Sequence, residues 1–126
     1  MDHILKQKAA EIINEYILTP VIYMFDDKEQ TEFVCFCDLN IESHEFVKAE
    51  ERLCGLLRKP VVLMDMREYD EVDRMGIISD GELIYSAHPL FAHMFERTMI
   101  EDARMREIQK SEMVKRYNAS GSAFLQ

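Results

Sequence analysis

Long apolar runs are missing from this 126-residue chain; none approaches the roughly 20 residues that a bilayer-spanning helix needs. Its opening segment, MDHILKQKAAEIINEY, sets charged residues inside an apolar pattern. It has neither the uninterrupted core nor the small-residue cleavage site of a secretory signal, so a cytoplasmic protein without membrane attachment is expected. Basic charge is scarce: 15 Lys and Arg face 24 Asp and Glu, for a net charge of −9. The run Lys115–Tyr117 is too short to make a basic stripe, so direct binding to a nucleic-acid backbone is not expected. Cysteine is limited to Cys35, Cys37 and Cys54. No second Cys pair or His cluster completes a zinc set. Cys35 and Cys37 alternate with aromatics and share one sheet face as core thiols. His88 and His93 are five apart and do not share a helical face. Glycine is rare as well, and Val21–Asp38 contains neither glycine nor serine.

What is present describes one folded domain. Hydrophobic residues make up 48% of the chain, and a chain of this size can bury roughly two-thirds of its unfolded surface. Asp2–Leu18 carries a helical apolar stripe with Asp2 as its cap, stopped at Thr19-Pro20. Val21–Phe25 is a continuous apolar run, the mark of a central strand covered on both faces. Asp26–Gln30 is a turn and Glu32–Leu39 a second strand. Ser43–Arg58 reads as a helix capped by Ser43, with Phe46, Val47, Leu53, Cys54, Leu56 and Leu57 turned inward. Val61–Met66 is a third buried strand and Tyr69–Ile78 a short helix, for which Asp70 is a candidate cap. Ser79–Glu82 is a turn whose glycine supplies a positive φ, and Leu83–Ser86 is a fourth strand. Pro89 opens a long helix running to about Asn118, with Phe91, Met94, Phe95, Thr98, Met99, Met105 and Ile108 facing in. The expected class is α/β or α+β, a small mixed sheet flanked by helices. Residues 1–118 form one domain and 119–126 a flexible tail. A helix of about 30 residues is about 45 Å long, more than a small domain covers, and its methionines suit an adaptable interface.

The order and spacing of these pieces resemble the minimal nucleotidyltransferases of the polymerase-beta superfamily, the antitoxin-like type paired with HEPN proteins. The stretch KPVVLMDMREYDEVDRMGIISDGELIYS carries the likeness best. Its Ile78, Gly81, Leu83, Ile84 and Tyr85 match a family pattern of I-x-x-x-G-x-x-L-Y, with Ile77 and Ile78 both able to fill the first apolar position, and PLFAHMFERTMIEDARM resembles the closing helix. The resemblance implies a site built from Gly-Ser after the first strand, an Asp-x-Asp pair, and a third carboxylate on the next strand, which together bind triphosphate and magnesium.

This chain departs from that pattern. Asp26-Asp27 stands at the Gly-Ser position, where two carboxylates repel a triphosphate. Strict spacing puts the acidic pair at Asp38-Leu39-Asn40. Strand pattern puts it at Glu32 and Val34, which keeps the apolar strand in register and is favoured, because a one-residue slip would reverse every side chain. The third carboxylate falls on Val62; Asp65 lies three residues later and faces the other way. The expectation is therefore a non-catalytic module that binds a protein partner, itself or a helical HEPN-type protein, with no cofactor. The alternative is a divergent nucleotidyltransferase that transfers a nucleotide from ATP to a protein or small molecule, with Asp38 and Glu32, or Asp26 and Asp27, holding Mg, and Glu32, Asp38 and Asp65 as the candidate catalytic residues. The acidic turn (Asp26, Asp27, Glu29, Glu32) also reads as a solvated cluster that blunts a sheet edge. No Arg is followed by a His at the HEPN ribonuclease spacing, so the chain resembles the nucleotidyltransferase half of such a pair.

Overall fold

A computed structural model describes the backbone of residues 1–37 and 41–125 and, within these, side chains through residue 117. Helix α1 spans His3–Tyr16, and the Asp2 carboxylate accepts from the Leu5 amide at 2.8 Å, as a cap should. The chain turns ahead of Pro20, where the buried Thr19 hydroxyl donates to the Val21 carbonyl at 2.7 Å and accepts from the Phe36 amide at 3.0 Å. Strand β1, Val21–Asp26, pairs antiparallel with β2, Thr31–Cys35. Helix α2, Ser43–Leu57, crosses to β3, Val61–Asp65, which lies parallel to β2. A 3-10 turn at Met66–Glu68 leads to α3, Glu71–Asp80, then β4, Glu82–Ser86, and finally α4, Pro89–Leu125. The sheet order is β3-β2-β1-β4, which makes β1 an interior strand as its apolar run requires. The fold is α+β.

Strand alternation splits the core into two layers. Ile22, Met24, Phe33, Cys35, Cys37 and Leu63 face α1 and α2, where Ile13, Ala49 and Leu53 meet them. Val21, Tyr23, Val34 and Met66 face α4, where Ala92 and Phe95 close the second layer. Each large apolar side chain buried this way contributes about 1.5–3 kcal/mol. The two neighbouring cysteines share one layer, as their spacing implies. The edge of β3 is not left bare: the Glu50 carboxylate on α2 accepts from the Leu63 amide at 2.9 Å.

Several local expectations need correction. Ser43 is the first helical residue and Glu42 the cap, with no side-chain cap bond; without the Ser43 cap, the first turn relies on Glu45 and its favourable position near the helix's positive end. Val47 is exposed, because Ala49 and Leu53 define the inner face of α2. Helix α3 begins at Glu71 with Asp70 as its cap, accepting from the Asp73 amide at 2.9 Å, and it runs through Ser79 and Asp80. Gly81 therefore sits at φ −77, not in a turn with positive φ. The left-handed residue is Arg58, φ 57, closing α2. The inward face of α4 is Ala92, Phe95, Met99 and Ala103, whereas Met94, Met105 and Ile108 are exposed. Ala92 packs in the sheet layer and Ala103 lies beside α3, and a stripe chosen by side-chain size misses both. Helix α4 also continues past Asn118 to Leu125; a single glycine there lowers helix propensity without stopping the helix.

Gly81 is required for space. A Cβ at this position would lie 2.7 Å from the Ile77 carbonyl oxygen and 3.1 Å from the Phe25 ring. Gly81→Ala should lower stability by about 1–3 kcal/mol, read as a fall in Tm on thermal unfolding. An unchanged Tm would show that the α3–β4 junction yields without cost.

Candidate functional site

The sequence-assigned positions meet at the end of the β1–β2 hairpin. Turn residue Asp27 shapes the loop: its carboxylate accepts from the Glu29 amide at 2.7 Å and the Gln30 amide at 3.0 Å, an Asx turn that asks for no glycine. These amides hold its carboxyl below the usual carboxylate range. Asp26 accepts from the Lys59 ammonium and from the Thr31 hydroxyl at 2.7 Å. Lys59, joining α2 to β3, also donates to the Asp27 carbonyl at 2.7 Å. The Lys59 ammonium and the Thr31 hydroxyl depress the Asp26 carboxyl. At the place where the resemblance expects a phosphate cradle, the chain has an internal ion pair.

The pairing register locates the three carboxylate positions. Glu32 stands opposite Phe25 on β1 and Val62 on β3, and Val34 stands opposite Tyr23 and Met64. Positions 32, 34 and 62 thus lie together on the sheet face beneath α3. Of these three positions only 32 carries a carboxylate, Glu32, whose Oε1 accepts from the Gln30 side chain at 2.8 Å. Val34 is fully buried and Val62 is partly exposed; neither offers an oxygen. Phe25 and Met64 on the same sheet face, with Tyr69 and the α3 residues Asp73, Ile77 and Asp80, line a cavity of about 360 Å³. The Tyr69 hydroxyl sits 2.8 Å from the Met64 sulfur, and burial followed by the nearby Glu32, Glu68 and Asp73 charges raises its phenol pKa. A neighbouring cleft of about 580 Å³ is lined by Asp26, Asp27, Glu32, Asp80 and Glu82, with Lys6 at its side.

Asp65 is separate from this group. Paired opposite Cys35, it points into the α2 side of the sheet and is buried. Its Oδ1 accepts from the Arg67 amide at 3.0 Å and the Cys37 amide at 3.5 Å. Its Oδ2 accepts from Arg67 Nε at 2.9 Å. Burial works against the charged form, but the Arg67 side chain and these amides outweigh it and hold the carboxyl below its ordinary value. Asp65 caps the turn after β3. Asp38 lies outside the described residues. Among the described residues, no three His, Cys, Asp or Glu side chains gather as a metal site, and the residues at the sequence-assigned positions do not fit a magnesium–triphosphate cradle. Lys59 was missed by sequence reasoning; its partner Asp26 is 33 residues away, and the only local signal was a helix-ending Lys-Pro.

These elements, in this order, define a nucleotidyltransferase-like α+β fold with a long closing helix. A chain of the toxin–antitoxin complex MntA-HepT matches with a TM-score of 0.71 and 13% identity, over 90% of this chain and 97% of that one. The structure of the tri-AMPylated Shewanella oneidensis HEPN toxin in complex with MNT antitoxin gives 0.72 and 14%, over 91% and 97%. A toxin–antitoxin structure with AMP-PNP gives 0.69 and 13%, over 87% and 95%. No protein-family model matches the chain, and no curated protein matches it in sequence. At this identity the likeness is one of fold.

Asp65→Asn should cost about 1–3 kcal/mol at neutral pH, because the Arg67 donors lose their charged acceptor. The Asp65 pKa is lower folded than unfolded. Its contribution is complete above the unfolded value of about 3.9 and disappears as pH falls through the folded value. Urea unfolding across this acid range should show a flatter pH dependence for the variant; parallel curves would mean that Asp65 does not supply this stability.

Proposed function

We propose that this chain is a non-catalytic nucleotidyltransferase-fold module that acts by binding a protein, an antitoxin-like partner of a helical HEPN-type protein. The observation that carries this reading is the commitment of the site's own groups. Lys59 supplies to Asp26 and the Asp27 carbonyl the positive charge that a divalent cation would supply elsewhere. Valines occupy two of the three carboxylate positions, and Asp65 is taken by Arg67. Two carboxylates at the hairpin would also repel a triphosphate. A magnesium site takes one or two carboxylates together with phosphate oxygens, and Glu32 alone, without a glycine-rich cradle, is a weak anchor for either. The compared complexes pair a fold of this kind with a HEPN toxin, which supports a protein as ligand. The reading includes cytoplasmic action and no cofactor.

Thermal unfolding with and without millimolar Mg-ATP tests the site directly. A ligand at about 100 times its Kd adds roughly 2.7 kcal/mol to the native state, a shift of several degrees at this size. No shift is expected, together with co-purification of a co-expressed HEPN-type protein and no label transferred to it from ATP. A clear shift, with transfer abolished by Glu32→Ala or Asp38→Ala, would overturn the proposal in favour of a divergent nucleotidyltransferase.

A further inference from the structure

Helix α4 has two unlike halves. From Pro89 to Ala103 it is held against the body: Ala92, Phe95 and Ala103 are buried, and Glu96 accepts from the buried Tyr23 hydroxyl at 2.7 Å. Beyond Ala103 every described residue through Tyr117 is exposed. This outer half is an arm of about 20 Å at 1.5 Å per residue.

The arm differs from the body in charge. Residues 104–117 carry five basic side chains (Arg104, Arg106, Lys110, Lys115, Arg116) against two acidic ones (Glu107, Glu112), a net +3. Residues 118–126 carry no charge, so with a total of −9 residues 1–103 hold −12. Exposed Met105, Ile108, Met113 and Val114 lie among these cations. Apolar side chains ringed by basic ones fit an acidic, partly apolar surface. The body presents one, the cleft at the hairpin end lined by Phe25, Asp26, Asp27, Glu32, Asp80 and Glu82 together with Lys6; Lys59 pairs with Asp26 and Lys6 with Glu82, so Asp27, Glu32 and Asp80 are the carboxylates outside those pairs.

We propose that the α4 arm docks on the acidic hairpin face of a second copy of this chain, reciprocally. The occupant follows from the charges: a +3 arm and a −12 body on one chain are complementary only when the arm of one copy meets the body of another. Exchange of two arms puts an arm and a seat from each copy into one closed interface. With its seat, each arm approaches the roughly 20–30 residues a side that stable interfaces use. The contact overcomes the mutual repulsion of two chains at −9 because the opposite charges are local and the like charges are distributed. This inference does not depend on the partner or the catalytic status proposed above.

Sedimentation velocity of the full chain alone, at about 100 µM, tests it. Twice the monomer mass is expected at about 50 mM salt, with at least a tenfold weaker Kd at about 500 mM as screening shortens the reach of the charges. The arm variant Arg104→Glu/Lys110→Glu/Lys115→Glu, altered only at exposed positions, should be monomeric with an unchanged circular-dichroism spectrum. The body variant Glu32→Lys/Asp80→Lys should also be monomeric alone. Mixing the two variants restores opposite charge at both contacts and should restore the dimer. A monomeric wild type, a dimeric arm variant, or a mixture that stays monomeric would each overturn the proposal. A monomer that instead binds single-stranded RNA or an acidic peptide through the arm would overturn it too.

Discussion

The register of the β1–β2 hairpin is the constraint on which the rest of the molecule depends. Asp27 folds the turn onto its own backbone amides, and Asp26, Thr31 and Lys59 fasten the strand ends to the start of β3. With that register set, Ile22, Phe33 and Cys35 face α1 and α2 while Tyr23 and Val34 face α3 and α4. A one-residue slip would move Glu32 into the first layer and Phe33 to the cleft. The charged turn is therefore structural before it is anything else. Its carboxylates are held deprotonated by amides, a hydroxyl and an ammonium, all from the protein itself.

The same device is what supports the non-catalytic reading proposed for this nucleotidyltransferase-like fold. A glycine-serine loop leaves backbone amides open for phosphate. Here the amides of Glu29 and Gln30 are satisfied by the Asp27 side chain. Valine at positions 34 and 62 adds apolar surface to a sheet face that a metal site would have to keep polar, and Tyr69 and Met64 pack over it. A buried carboxylate at position 34 would need cations around it to be tolerated; without metal or phosphate, an apolar side chain is the more stable choice.

Much of this was legible in the sequence, and the exceptions share a cause. The apolar run at Val21–Phe25, the Pro89 start of the last helix, the Asp2 and Asp70 caps and the paired cysteines are signals carried by neighbouring residues, and each appears in the structure as read. Glu32 and Val62 stand opposite each other in the pairing register. What was not legible depends on distance in space. The bond between Lys59 and Asp26 spans 33 residues. The need for Gly81 comes from the Phe25 ring and the Ile77 carbonyl, not from a turn. The packed face of α4 includes Ala92 against the sheet and Ala103 beside α3, small residues whose burial follows from tertiary neighbours.

That last misreading bears on function. Counting large apolar residues assigns Met94, Met105 and Ile108 to the core, and the structure places them outside. Scattered exposed apolar residues are ordinary on a surface. A helix whose described residues beyond Ala103, through Tyr117, are all exposed is different, because those residues keep their apolar side chains in water. Such a segment is retained at a cost in solubility unless something covers it. The acidic body and the basic arm then make a single physical system: the excess of negative charge that disfavours phosphate binding at the hairpin is the same charge that can receive a basic helix.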